Sequence, residues 1–286
     1  MQPVKQILFP VDFSARCDFA VPYVNMMARR LGAKIILINA VEPNWYLPMI
    51  PLPPIALDLA EVRRANLLAF HETWAATFEG LTVERTVVEG EPADVIVQFA
   101  EKHNVDLVMM PTHGHGRFRQ LLLGSVTAKV LHDCNRPVWT SAHVRESLRP
   151  LHVETGTVLC ALDEPSKSAS LLKSASALAD ALGAKLRLVH VIVAHSYDPH
   201  LDVLFEKSRV FEARQAITDL QKTLGVAAPL CVVVPGDVAS AVSEVAERDN
   251  VDLVIIGRGV INERLGRLRT NAHAIIRQSP CPVISL

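Results

Sequence analysis

The chain lacks most of the features that assign a function quickly. It has only five cysteines (Cys17, Cys134, Cys160, Cys231 and Cys281), scattered and with no Cys-x-x-Cys pair. That pattern argues against both a disulfide framework and a zinc site, leaving small core residues, with Cys134 the one expected nearer the surface. An excess of charge of one sign is also missing. The formal net charge is −1, so nothing pulls the whole molecule toward nucleic acid or anionic lipid. No apolar run reaches the roughly 20 residues that a membrane-spanning helix needs. The opening Met1-Gln-Pro-Val-Lys-Gln6 enters a strand-like segment directly rather than a signal peptide, so a cytoplasmic location is expected. Neither a Walker ending Gly-Lys-Ser nor a Gly-x-Ser-x-Gly elbow occurs, which removes the usual signatures of P-loop enzymes and serine hydrolases.

What is present suits a folded protein with large cores. The chain has 286 residues, 50% hydrophobic and 21% charged, and at about 150 residues per domain two domains are expected. It also repeats itself. Ile7-Leu-Phe-Pro-Val-Asp12 aligns with Val158-Leu-Cys-Ala-Leu-Asp163, and Leu31-Gly-Ala-Lys34 with Leu182-Gly-Ala-Lys185, both at an offset of 151. Asn104-Val-Asp-Leu-Val108 returns as Asn250-Val-Asp-Leu-Val254, and Gly90 as Gly236, at an offset of 146. Arg136-Pro-Val138 matches Cys281-Pro-Val283. The same landmarks in the same order mark two copies of one unit.

Each copy alternates strand and helix. Val4 to Val11 is a continuous apolar run, as a strand covered on both faces requires. Ser14 sits where a helix cap belongs, and Ala15 to Leu31 has helical spacing ended by Gly32. Lys34 to Val41 reads as a strand, Leu57 to Phe78 as a long helix carrying Trp74 and Phe78 on one face, and Thr82 to Val88 as a strand. Pro92 to His103 is a helix, Val105 to Met110 a strand, Ser125 to Asp133 a helix and Pro137 to Ser141 the last strand. In the second copy the strands begin near Gly156, Lys185, Pro229, Val251 and Pro282. The pattern predicts an α/β protein of two tandem, doubly wound, Rossmann-like open parallel sheets with five strands each. The expected organisation is a first domain over 1–144, a linker over 145–155 containing Pro150, and a second domain over 156–286. Pro137-Val-Trp-Thr-Ser141 and Pro282-Val-Ile-Ser-Leu286 are apolar edge strands that need cover, so the two copies are expected to pack as an internal pseudo-dimer.

Sheets of this kind take ligands outside the carboxyl ends of their strands, where strand order reverses. There lies Pro111-Thr-His-Gly114-His-Gly116-Arg-Phe-Arg-Gln-Leu-Leu-Leu-Gly124-Ser125-Val126-Thr127. Its glycines allow positive φ and close approach to a ligand, Gly124-Ser125 opens a helix whose free N–H groups face the loop, and the Ser125 and Thr127 hydroxyls add donors. On the glycines alone, an ordinary strand-to-helix loop with a serine cap fits as well as a phosphate cradle. His113 and His115 are too isolated from other ligands to argue for a metal. Trp45-Tyr-Leu-Pro-Met-Ile-Pro-Leu-Pro-Pro54 reads either as a stiff surface connection or as a lid or docking patch.

The spacing Gly114, nine residues, Gly124-Ser125, then Val126-Thr127 and Arg136-Pro-Val138, resembles the universal stress protein family. Its motif is Gly-x2-Gly-x9-Gly-(Ser/Thr). The opening Pro10-Val11-Asp12-Phe13-Ser14 and the strand ending at Val41 extend the likeness through most of the first copy and, less closely, the second. The resemblance implies ATP as ligand, with Mg²⁺ left open. It implies a nucleoside pocket at Pro10, Val11, Asp12 and Val41, a ribose edge at Met110 and Pro111, and a phosphate cradle at Gly114, Gly124, Ser125, Val126 and Thr127. Pro111 departs from the family, standing where its first glycine belongs and removing one N–H. In the second copy Val260 and Arg269 replace the two remaining glycines, so occupancy of the first half alone is expected. The implied function is an ATP-binding stress-response or regulatory protein. Alternatives are a slow ATP hydrolase, with Asp12 or His113 as weak candidate bases, and a nucleotide-free protein for an apolar ligand or partner. A homodimer and an unidentified partner protein remain open, and neither nucleic acid nor a membrane span is expected.

Overall fold

The computed structural model describes residues 3–42, 61, 65–66, 68–69, 73–112, 123–141, 156–193, 199–227, 231–258 and 270–286. The first copy opens with β1 (Gln6–Pro10), where Ile7, Leu8 and Phe9 are fully buried by cover on both faces. In α1 (Ala15–Leu31) the buried residues Cys17, Ala20, Val21, Val24, Met27 and Ala28 recur at helical spacing, and the helix stops at Gly32. Then come β2 (Lys34–Val41), β3 (Val83–Glu89), α2 (Pro92–Lys102), β4 (Leu107–Met110), α3 (Ser125–Asp133) and β5 (Val138–Thr140). The second copy runs β6 (Thr157–Leu162), α4 (Ala169–Leu182), β7 (Lys185–Ile192), α5 (Pro199–Leu224), β8 (Cys231–Pro235), α6 (Val238–Arg248), β9 (Leu253–Ile256), α7 (Thr270–Gln278) and β10 (Val283–Ser285).

The expected long helix does not reach Phe78. Residues 73–80 form turns, with Trp74 at φ +61°. Trp74 is instead anchored by its side chain. Its ring lies 6.0 Å from that of Phe9 and 6.4 Å from that of Phe13, and Nε1 donates to Asp18 Oδ1 at 2.8 Å. Those contacts to β1 and α1 outweigh helix propensity here. Phe78 is buried. The Pro-rich run 45–54 and the linker 145–155 lie outside the described residues.

The chain divides into two compact units. The one built on Val4–Arg117 and Gly124–Arg136 orders its strands β3-β2-β1-β4, all parallel. The chain winds outward from β1 to β3 and returns to β4 on the other side of β1, which places the reversal point between β1 and β4. The unit built on Pro137–Leu286 orders β8-β7-β6-β9-β10-β5. Its β10 and β5 pair antiparallel, with Val283 opposite Thr140 and Ser285 opposite Val138. The last strands of the two copies thus cover one another, and β5 is grouped with the second unit.

The repeated motifs have structural reasons. Asp106 Oδ2 accepts the N–H groups of Lys5 and Gln6 at 2.8 and 3.0 Å, and Asp252 Oδ2 accepts that of Thr157 at 2.8 Å. Each Asp satisfies the start of a central strand. Asn104 and Asn250, at φ +51° and +49°, make the left-handed turn that Asn tolerates before each Val-Asp. Register repeats as well, since Gln6 opposes Lys34 in the first copy as Thr157 opposes Lys185 in the second. All four cysteines whose side chains are described are buried thiols outside any disulfide, and Cys134 is fully buried rather than near the surface.

Candidate functional site

The carboxyl ends of β1 and β2 are locked together. Val11 N–H donates to Ile38 O at 2.8 Å, and Val11 O accepts Asn39 Nδ2 at 2.8 Å. Asn39 Oδ1 in turn accepts Asn66 Nδ2 at 2.7 Å. Val41 O, one turn of the pleat further on, accepts Gly90 N–H at 3.0 Å. Pro10 is half-buried at this edge and Val11 and Val41 are buried.

Asp12 follows with a half-buried carboxylate. Its Oδ1 accepts Ser14 N–H at 3.0 Å and the Cys17 thiol at 3.1 Å. Burial, and then the Asp12 charge, push the Cys17 thiol up to about 12, so it stays protonated and donates. Phe13 between them adopts φ +58°, unusual for a bulky residue, with its ring stacked on Trp74. Ser14 occupies the N-cap of α1, but its hydroxyl makes no capping bond and is buried with no partner among the described residues. Asp12 takes the Ser14 N–H in a local turn ahead of the helix, so the expected capping bond is not made.

On the other side of β1, Met110 and Pro111 end β4 in buried positions. Two bonds stitch the ends of the following loop: Thr127 Oγ1 donates to Pro111 O at 3.0 Å, and Gly124 N–H to Thr112 O at 2.9 Å. The first of these corrects an expectation. The Thr127 hydroxyl is buried and committed to the chain, so it is a tie across the loop rather than a donor turned outward. Gly124 corrects another, since at φ −60° and ψ 145° its backbone suits any residue.

What stays open is the start of α3. The first intrahelical bond is Ala128 N–H to Gly124 O at 2.8 Å, and the N–H groups of Ser125, Val126 and Thr127 have no carbonyl partner among the described residues. Ser125 is exposed and Val126 half-buried, and no acidic side chain occupies the first turn to compete for those donors. The helix dipole adds positive potential at the same place. One turn later Lys129 is held by Asp94 at 2.8 Å and Glu91 at 3.1 Å, which ties α3 to α2 and raises its pKa. Gly114, with His113, His115, Arg117 and Arg119, lies outside the described residues, as do Val260 and Arg269 of the second loop. The structure therefore brings Pro10, Val11, Asp12, Val41, Met110, Pro111, Gly124, Ser125, Val126 and Thr127 to one edge of one unit. Sequence reading missed Asn39 and Cys17. Asn39 was signalled by a lone amide inside an apolar strand, whereas Cys17 carried no signal beyond its helical phase. No group of His, Cys, Asp and Glu fit to hold a metal occurs among the described residues, and no helix among them is long and apolar enough to cross a membrane.

Comparison with known proteins agrees with the repeat and the fold. The chain is 27% identical over 150 residues to universal stress protein MJ0577 of Methanocaldococcus jannaschii, covering 47% of this chain and 92% of that protein. It is 39% identical over 141 residues to universal stress protein Slr1230 of Synechocystis, covering 49% of this chain and 43% of that protein. A universal stress protein structure from Archaeoglobus fulgidus superposes with a TM-score of 0.68 at 22% identity, covering 99% of this chain and 96% of that one. The family model described as the universal stress protein family matches twice, over residues 3–141 and 154–285. The chain belongs to the universal stress protein family, with two copies of its domain in tandem.

Proposed function

We propose that the chain is an ATP-binding regulatory protein of the stress response, acting in the cytoplasm, with nucleotide held in the first copy. The observation that carries this reading is the open first turn of α3. Three N–H groups, at Ser125, Val126 and Thr127, have no partner among the described residues and stand at the strand-order reversal, on the same edge as Asp12. Backbone donors at a helix start suit phosphate oxygens, and a carboxylate such as that of Asp12 suits a hydroxyl or amino donor of a nucleoside. Mg²⁺ would enter with the phosphates rather than through a protein cluster.

Chemistry is not the output of such a site. Asp12 Oδ1 is committed to Ser14 and Cys17 as a structural acceptor rather than held as a base. Donors that grip the ground state do not by themselves favour a transition state. Occupancy then acts by changing conformation or assembly, read by a partner protein or a second copy of the chain. Mass spectrometry of ligand released from freshly purified, denatured protein tests the reading, alongside phosphate release with ATP and Mg²⁺. Retained adenine nucleotide with turnover far below about 1 s⁻¹ is expected. Absence of nucleotide together with no ATP binding at millimolar concentration would overturn it, and turnover at kinase-like rates would make the chain an enzyme.

A further inference from the structure

The second unit has a cavity of about 480 Å³, wide open to solvent, between the loop after β6, the end of β7 and α5. Pro165, His190, Val191, Ile192, Ala213 and Ala216 line most of it, so its body is apolar. His190 stands where Asn39 stands in the first copy, and it makes the same tie. His190 Nδ1 lies 2.9 Å from Leu162 O, as Asn39 Nδ2 lies 2.8 Å from Val11 O. A carbonyl only accepts, so Nδ1 carries the hydrogen, and Nε2 of the neutral ring is left as an acceptor.

The two copies part company on the far side of this tie. In the first, Asn39 Oδ1 is filled by Asn66 of the same chain. In the second, His190 lines the cavity and Nε2 has no partner among the described residues. The mouth carries both signs. Arg209, which donates to Val193 O at 3.1 Å, and Glu212, which accepts from Ser208 Oγ at 3.0 Å, both reach the lining. Glu164, beside Pro165, already holds Lys167 at 2.8 Å. Among the described lining residues the charges of Arg209 and Glu212 offset one another, so none of them gathers a polyanion.

We infer that this cavity binds an uncharged planar aromatic molecule bearing one N–H or O–H donor. The ring packs on Val191, Ile192 and Ala213, and the donor bonds His190 Nε2. This site is independent of the nucleotide reading of the first copy and differs from it in preference, since its described charges do not gather phosphate.

The probes are indole, which has the donor, 1-methylindole, which keeps the shape without it, and indole-3-carboxylate, which adds charge. Each is titrated into the full chain, following His190 and Val191 resonances by NMR. The variant His190→Phe keeps a planar ring and removes the acceptor, and its cost to the fold is read separately from the denaturant midpoint. The variant Ala213→Trp fills the cavity from the half-exposed face of α5. Expected results are saturable shifts with indole at His190, and affinity at least about 5-fold weaker for 1-methylindole, the value of one hydrogen bond. Indole affinity should fall by a similar factor in His190→Phe, leaving indole and 1-methylindole equal there, and all binding should be lost in Ala213→Trp. Equal affinity for indole and its methyl derivative, undiminished binding in either variant, preference for the carboxylate, or shifts confined to the first copy would each overturn the inference.

Discussion

Gly90 and Gly236 occupy equivalent places at the turn after the third strand of each copy, with φ of +146° and +140°. Both donate from N–H to the end of the neighbouring strand, Gly90 to Val41 O at 3.0 Å and Gly236 to Ile192 O at 3.1 Å. They differ in one respect. A Cβ on Gly90 would stand 2.8 Å from Val95 Cγ2, whereas a Cβ on Gly236 would meet nothing within 4 Å. Alanine at either site takes the backbone strain of a region that only glycine occupies readily, about 1–3 kcal/mol. Gly90→Ala adds overpacking against Val95, which is only 8% exposed, worth about 1–3 kcal/mol more. Hydrogen–deuterium exchange, read separately over β1–β2 and β6–β7, gives the cost in each copy. Gly90→Ala should destabilise the first copy by at least about 1 kcal/mol more than Gly236→Ala destabilises the second, and Val95→Ala should recover much of that excess. Equal costs, or no coupling between positions 90 and 95, would refute the reasoning.

Other expectations follow from single groups. Thr127→Val removes the donor to buried Pro111 O and should cost about 1–3 kcal/mol in denaturant unfolding. ATP affinity should change by less than about 3-fold, and a tenfold loss at unchanged stability would return the hydroxyl to the phosphates. The thiols of Cys17 and Cys160 are each raised to about 12 from 9, Cys160 by burial alone. Because the folded state disfavours the thiolate, their contribution is fully present below pH 9. It is lost as pH climbs toward 12, at about 1.4 kcal/mol per pH unit for each thiol. Urea midpoints should fall between pH 8 and pH 10.5, less steeply in Cys160→Ala, and an identical slope in that variant would contradict the burial argument.

Much of the fold could be read from the sequence because local and global signals agree. Helix Ala15–Leu31, strand Lys34–Val41 and helix Ser125–Asp133 have the expected ends, since glycine, alternation of apolar runs and a glycine-serine step mark them. The failure near Trp74 shows the limit. Periodicity carried the helix to Phe78, but the tryptophan's partners, Asp18, Phe9 and Phe13, lie far away in sequence. The site was legible as positions and less so as roles. Glycine at 124 suggested positive φ, yet its backbone is an ordinary extended one, and a hydroxyl at 127 suggested a ligand contact that the buried Pro111 carbonyl takes instead. His190 was invisible as a site because its meaning arises only by contrast with Asn39.

Titration calorimetry of ATP into the full chain and into Gly124→Arg tests the central claim most directly. Gly124 has an ordinary backbone conformation and caps α3, so arginine there should leave the fold intact while filling the space before Ser125. The account predicts about one ATP per chain in the native protein and none in the variant, with an unchanged unfolding midpoint to within about 1 kcal/mol. Two sites per chain, no site, or full affinity retained in Gly124→Arg would contradict it.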